Sequence, residues 1–452
     1  MPTAWQGSAT IANHEPRNAS RSAATGPSAT AALAAAILLA AAAIGRAENW
    51  TGFRGPGGLG HTSETNLPIT WGGKDNRNVR WKAPLVGQGH ASPIVWNDRV
   101  FVSTVAWAES VREREKVIPD HHLLCWRVSD GRRLWDTQIP PGRWVRTDFR
   151  SGPGGGYAAA TPVTDGRLVF CAFGSSVMAA VDFQGRIVWR NEIEPHTFDV
   201  TLGSSPVLYR DTVILLCAMA KKQDSRIVAF EKATGKVKWE TPLPTTGFGH
   251  STPIIIHAGG TDQFIVVASA ASEAPDAIQS FDPAGGKRLW WCYGSGDVAS
   301  PVYGAGIVYA DSGRGGGPGI AVDPTGSGDV TKTHIKWRFD SAPSAMSSPI
   351  VVGKHLYRLR GRHIKCFRTD TGQTVYSKNV GDTGSPWASP IADGRGYIYF
   401  ATAGKTHVVK SGPAFELLAL NDLGDPNHAS AAVSNGRIFL VGMRNLYCIA
   451  AP

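Results

Sequence analysis

From Ala91 onward the chain runs in short stretches of alternating apolar and polar residues, each bounded by Gly, Asp, Asn or Pro. A period of two marks half-buried β-strands, and the bounding residues are those that form tight turns. One stretch shows it plainly. Ala160–Thr164 leads to a turn at Asp165-Gly166, then Leu168–Phe173, Val177–Val181, a turn at Gln184-Gly185, and Ile187–Trp189. That is a four-stranded antiparallel unit, and no helical pattern of useful length follows residue 47.

The unit repeats. A small residue, then Ser or Thr, then Pro opens it at Ala91-Ser92-Pro93, Ala160-Thr161-Pro162, Ser204-Ser205-Pro206, Ser251-Thr252-Pro253, Ala299-Ser300-Pro301, Ser347-Ser348-Pro349 and Ala388-Ser389-Pro390. The phrase degenerates to Ala429-Ser430-Ala431, and successive spacings are 69, 44, 47, 48, 48, 41 and 41 residues. A turn glycine followed by tryptophan ends the units at Gly131…Trp135, Gly185…Trp189, Gly235…Trp239 and Gly286…Trp290, with Trp337 and Tyr376 in the fifth and sixth. Four strands in roughly 45 residues, repeated, is the blade of a β-propeller. The last unit, Ala429–Cys448, supplies only three strands, whereas Asn78–Leu85 matches Lys236–Leu243, the fourth strand of unit three. The expected fold is therefore all-β, an eight-bladed propeller whose last blade is completed by an N-terminal strand. Such closure removes exposed sheet edges.

These residues resemble the PQQ-like propeller repeat family, the eight-bladed group that holds quinoprotein alcohol dehydrogenases and the outer-membrane assembly lipoprotein BamB. The resemblance covers roughly residues 48–450 and rests on the Ser-Pro opening and the ending Ala229–Trp239. The segment Trp50–Gly58 also looks like the leader of secreted bacterial members. The family name describes a fold, and many members are thought to bind no PQQ.

Composition narrows the class. Charged residues are 18% of 452, with 52 Gly, 29 Pro and a net charge of +10. This excludes coiled coil, collagen and a multi-span membrane protein. Ala31–Ile44 is an unbroken apolar run after Arg17 and Arg21 and before Gly45-Arg46-Ala47. It reads as a secretory signal over residues 1–47, too short for a spanning helix. The expected domains are this signal and a single propeller over residues 48–452, exported to the periplasm or beyond.

Candidate chemistry is sparse. Six cysteines include no adjacent pair, which quinoprotein dehydrogenases carry beside their cofactor, and no Cys-x-x-Cys-His. Cys125, Cys366 and Cys448 fall at equivalent third-strand positions on different blades, too far apart for a disulfide, and read as buried free thiols. Asp311-Ser312-Gly313, Asp370-Thr371-Gly372 and Asp382-Thr383-Gly384 read as turns. Metalloprotease, phosphate-loop, EF-hand and nucleophile-elbow motifs are absent from the sequence. No residue is assigned to catalysis or to a metal.

Position is more telling. Three residues before each strand opening stand His90, Ala159, Gly203, His250, Val298, Met346, Trp387 and His428. These lie in blade-to-blade loops near the propeller axis, and a ring of them suits a metal, an anion or a polar ligand, or simply backbone hydrogen bonding. Loops on the same face carry Arg143, Arg146, Asp199, Asp311 and Arg314. The hairpin Lys354–Arg368 holds six Lys or Arg and no acid, and reads as a solvated basic blade edge.

The favoured expectation is a monomeric, exported, non-catalytic binding or scaffold propeller. It takes a protein partner or anionic small ligand on the loop face, associates with an outer-membrane or cell-envelope complex, and binds no nucleic acid. The alternative is a PQQ-dependent oxidoreductase of alcohols or sugars. Under it, Arg143, Arg146 or Arg314 would pair with PQQ carboxylates, and Asp199 and Asp311 would supply oxygens to calcium.

Overall fold

A computed structural model describes residues 48–452 apart from 144–152, 194–201, 219–223, 245, 248, 269–275, 295, 297, 312–318, 340–345, 385–386 and 427. Eight antiparallel sheets follow one another, as the repeat predicts. Their first strands are Ile94–Trp96, Val163–Thr164, Val207–Tyr209, Ile254–Ala258, Val302–Gly304, Ile350–Val352, Ile391–Ala392 and Ala432–Ser434, and these define blades one to eight. Blade eight takes its fourth strand from Val79–Pro84, which pairs with Asn445–Ala450. Blade four gains a short parallel edge, Gly328–Asp329, beside Trp290 and Trp291. Helix among the described residues is confined to 3-10 turns at Pro56–Gly58, Arg114–Lys116 and Pro153–Gly156.

The repeated Ser/Thr-Pro phrase has a physical reason. Pro lacks an N–H and begins a strand without wasting a donor. The Ser or Thr before it forms a hydrogen-bonded ring around the axis. The backbone N–H of Ser92 donates to Thr161 Oγ1 at 3.0 Å, Thr161 to Ser205 at 3.0 Å, Ser205 to Thr252 at 3.0 Å, and Thr252 to Ser300 at 2.8 Å. Ser300 donates to Ser348 at 2.9 Å, Ser348 to Ser389 at 3.1 Å, Ser389 to Ser430 at 2.9 Å, and Ser430 returns to Ser92 at 3.0 Å. Every blade is thereby tied to the next, and each of these buried N–H groups is satisfied.

The outer belt explains the Gly…Trp phrase. Trp81, Trp135, Trp189 and Trp337 each donate their indole N–H to a carbonyl of the following blade, those of Val128, Phe183, Lys232 and Thr369. The turn glycine of that following blade lies flat under the indole. At Gly235, φ is +73° and an added Cβ would sit 2.7 Å from Trp189 Cδ2, so only glycine fits. Opposite the fourth-strand aromatic, the third strand carries a small residue: Cys125 faces Trp135, Ala180 faces Trp189, Ala229 faces Trp239, Cys366 faces Tyr376 and Cys448 faces Trp81. All six cysteines are buried free thiols, and burial pushes Cys125, Cys171, Cys217 and Cys448 up to about 12. Trp290 breaks the belt. It is fully buried and donates to Gln263 Oε1 at 2.7 Å inside blade four.

Residues 48–66 thread across the axis. Trp50 pairs with Val95 of blade one, and the Thr51 carbonyl accepts from Thr164 of blade two. Gly58 lies against Ile254 of blade four, and Arg54 donates to the Pro349 carbonyl of blade six. Gly60 and Thr62 bond with Ala392 of blade seven, and Glu64 accepts from Asn435 and Gly436 of blade eight. Blades two and six, and four and eight, stand opposite one another, so the leader spans the ring. Its hydrogen bonds at blades one, two, seven and eight reach the first strands or the hairpin turns that follow them, whereas Arg54 and Gly58 reach the beginnings of the first strands of blades six and four.

Candidate functional site

The blade-to-blade face is where the axis opens. All eight axial residues, His90, Ala159, Gly203, His250, Val298, Met346, Trp387 and His428, are half-exposed, whereas the Ser/Thr ring just below them is buried. His90 is fixed from behind, because its N–H and that of Ala91 both donate to the Ala158 carbonyl at 2.9 and 3.0 Å.

Three of these side chains meet. The His90 and Trp387 rings stack with centroids 5.0 Å apart and 10° between planes. His428 stands edge-on to both, 5.5 Å from His90 and 6.0 Å from Trp387. Burial holds the His428 imidazole below its ordinary pKa, so it is neutral at pH 7, and its Nδ1 has no hydrogen-bond partner among the described residues. The cluster therefore offers a flat face and an imidazole edge, suited to an aromatic or amide group or to a carboxylate. His250 lies apart in blade four, its ring leaning over Gly203, where a Cβ would fall 2.8 Å from its Cγ.

The other candidates are placed differently. Arg143 is on the outer rim, its guanidinium 2.9 Å from Glu192 at the edge of blade two. The same edge is fastened by Arg190, which donates to the carbonyls of Pro140 and Pro141. His121 lies in the strand Asp120–Arg127 and is fully buried. Its Nε2 lies 2.6 Å from Ser175 Oγ, which also accepts from the Gly142 N–H at 2.9 Å. Burial drives His121 down to about 3, so this dyad clamps a loop and has no use as a general base. Arg146, Asp199 and Arg314 lie outside the described residues.

Asp311 is turned inward between blades five and six. Its Oδ1 accepts from Arg358 at 2.7 Å and from the Tyr309 hydroxyl at 3.2 Å, with Arg360 at 3.7 Å. Arg358 is sandwiched between Phe339 and Phe367, 5.2 and 5.0 Å from the ring centres. The hairpin expected as a solvated basic edge thus sends two of its cations into an inter-blade ion cluster. Alternation along His355–Arg360 puts Arg358 and Arg360 on the same side of the strand, where Asp311 of blade five supplies the acid. Burial and these two arginines lower the pKa of Lys365.

Among the described residues the donor set does not fit a quinone–calcium centre. The Asp311 charge is already paired with the Arg358 and Arg360 guanidinium groups through Oδ1, and among the described residues no three His, Cys, Asp or Glu side chains gather to hold a metal. No adjacent cysteines occur in the sequence.

The eight sheets define the class by fold, an eight-bladed β-propeller. Residues 117–323, a little under half of the chain, match the family model described as outer membrane protein assembly factor BamB. No curated protein matches the sequence. Solved structures of similar shape include a europium-containing methanol dehydrogenase, 11% identical, covering 88% of this chain and 90% of that one at a TM-score of 0.67. Quinohemoprotein alcohol dehydrogenase from Comamonas testosteroni is 12% identical, with coverage of 89% and 80% and a TM-score of 0.63. BamB from Moraxella catarrhalis is 12% identical, with coverage of 76% and 100% and a TM-score of 0.52. At these identities the likeness is one of fold.

Sequence reasoning missed two features. The Ser/Thr of the repeat was visible, but its role in closing the ring needed neighbouring blades in place. Arg54 stood in a glycine-rich leader with nothing to mark it as buried.

Proposed function

We propose that this protein is an exported, monomeric, non-catalytic propeller that binds a protein partner through its blade-to-blade face as part of a cell-envelope assembly. The observation that carries this reading is the His90–Trp387–His428 cluster, an aromatic and imidazole surface fixed from behind on a closed, rigid ring. Aromatic anchors on a rigid support are the usual centre of a protein interface. Similarity to the BamB family over residues 117–323 agrees with it. Bound partners would present a carboxylate or aromatic side chain to the cluster.

The test is complex size in solubilised cell envelopes, comparing the parent with His90→Ala/His428→Ala and with Arg167→Ala on the opposite face. The parent and Arg167→Ala run in a larger complex, and the double variant runs free while keeping its Tm. Equal behaviour of all three moves the binding face elsewhere.

A second reading, a PQQ-dependent oxidoreductase of alcohols or sugars, is favoured by the fold likeness to two alcohol-oxidising enzymes. The consumed carboxylate of Asp311 weighs against it.

A further inference from the structure

Blade one carries a row of side chains that its counterparts lack. Trp96, Arg99 and Arg127 stand opposite one another on its first three strands, Trp96 paired with Arg99 and Arg99 with Arg127. Directly opposed residues of antiparallel strands project on the same side of the sheet, so an indole and two guanidinium groups share one face. The same row reads Tyr209–Thr212–Glu231 in blade three, Val352–His355–Arg368 in blade six and Ser434–Arg437–Ala450 in blade eight. Those blades form without an aromatic beside two cations, so the repeat does not account for the row in blade one.

That face meets blade two across a groove of about 420 Å³, within the range of small-ligand sites. Gly166 of blade two, at φ +86°, lies against the Trp96 ring, where an added Cβ would collide with the indole. Arg99 lies over the Phe183 ring, 5.4 Å from its centre, and donates through Nη1 to the Phe183 carbonyl. Phe101 stands edge-on to Phe183 with ring centres 5.2 Å apart, which fixes the floor. Arg127 is paired with Asp130, whereas Arg99 has no carboxylate within ion-pair distance among the described residues. Asp98, in the turn between Trp96 and Arg99, also lines the groove and accepts the Ser129 N–H through Oδ1 at 3.1 Å. Trp96, Arg99 and Phe183 are half-buried and Asp98 is exposed, so the groove is open to solvent.

A ligand that suits this groove offers a flat body of C–H groups to the indole, a carboxylate to the unpaired guanidinium, and a hydroxyl donor to Asp98. A sugar acid has all three. A neutral sugar leaves Arg99 without an anion, and a free phosphate or sulfate lacks the flat body. We propose that the groove between blades one and two binds a hexuronic acid unit of an acidic polysaccharide. The sugar ring packs on Trp96, its carboxylate pairs with Arg99, and a ring hydroxyl donates to Asp98. The groove lies beyond the turn that ends the first strand of blade one, whereas His90 precedes that strand. It is therefore a second site and does not rest on the binding reading above.

The probe is trigalacturonic acid, titrated calorimetrically into the full mature chain, with neutral galactotriose in a parallel titration. The acidic trimer binds saturably, and the neutral one binds at least about tenfold more weakly for want of the charge-assisted pair. Trp96→Ala and Arg99→Gln each weaken binding of the acidic trimer about tenfold. Arg437→Gln, at the matching place in blade eight, binds as the parent does, and so does His90→Ala/His428→Ala, which separates this groove from the axial cluster. No saturable binding by the parent, equal binding of the two trimers, or tighter binding of a tripeptide ending in phenylalanine overturns the proposal. Undiminished affinity in both Trp96→Ala and Arg99→Gln overturns it as well. If either variant does not fold, the parent's preference between the two trimers still decides.

Discussion

Replacing Ser348 by alanine tests whether the ring of hydroxyls holds the blades together. The substitution removes the acceptor that Ser300 N–H reaches at 2.9 Å, while Ser348 keeps its own N–H bond to Ser389. Both residues are buried, at 3% and 2% exposure, so the Ser300 donor loses its partner where bulk water does not reach. A buried donor left unsatisfied costs about 1–3 kcal/mol. Loss of one hydroxyl leaves little cavity, so the hydrogen bond accounts for most of the change. We expect Ser348→Ala to lower stability by about 1–2 kcal/mol, because water in the axis can recover part of the bond. Ser348→Thr keeps the acceptor, and Thr161 and Thr252 already occupy the equivalent positions in blades two and four. It should be nearly neutral. The assay is urea unfolding, with an unchanged m-value as the check that the same surface is exposed. A Ser348→Ala change below about 0.5 kcal/mol, or an equal loss in Ser348→Thr, refutes the reasoning.

Gly235→Ala should cost more than Gly353→Ala in thermal melts. Both positions have positive φ, a strain of about 1–2 kcal/mol for an L residue, but only at Gly235 does the new Cβ meet an indole, 2.7 Å from Trp189 Cδ2. Thiol reagents should leave the native protein almost untouched and titrate all six cysteines in denaturant. Acid should destabilise through His121, whose folded pKa of about 3 lies below its unfolded value of 6.5. The unfolded state then binds the extra proton, so stability is full above pH 6.5 and falls by up to about 1.4 kcal/mol per pH unit between 6.5 and 3. His121→Gln should flatten that slope by one proton, measured as the urea midpoint against pH.

The blade count and strand boundaries were legible because two short phrases recur in register, and each answers a need of the ring. Ser348 and its equivalents close the inner circle, and Gly235 with Trp189 closes the outer one. Cys125 and Cys448 could be read as small core residues because their repeat equivalents, Ala180 and Ala229, stand opposite the same tryptophan position. The axial site was half legible. Periodicity brought His90, Trp387 and His428 to one ring, but nothing in the sequence said that Asp311 would be taken by Arg358 from the next blade. That pairing depends on which face of a strand meets which neighbour, and two blades must dock before the acid finds its partner. Arg143 lies apart from the axial cluster for a related reason, since its guanidinium is held by Glu192 on the outermost strand of blade two.

The most direct test of a non-catalytic binding propeller is to incubate the purified protein with PQQ and calcium, remove free quinone, and record the absorption spectrum. Dye-linked oxidation of simple alcohols and sugars is then measured on the same sample. The account predicts no quinone retained in proportion to protein and no turnover. A stoichiometric bound-quinone spectrum with substrate-dependent dye reduction would contradict it, and would make the His90–Trp387–His428 face part of an oxidoreductase site.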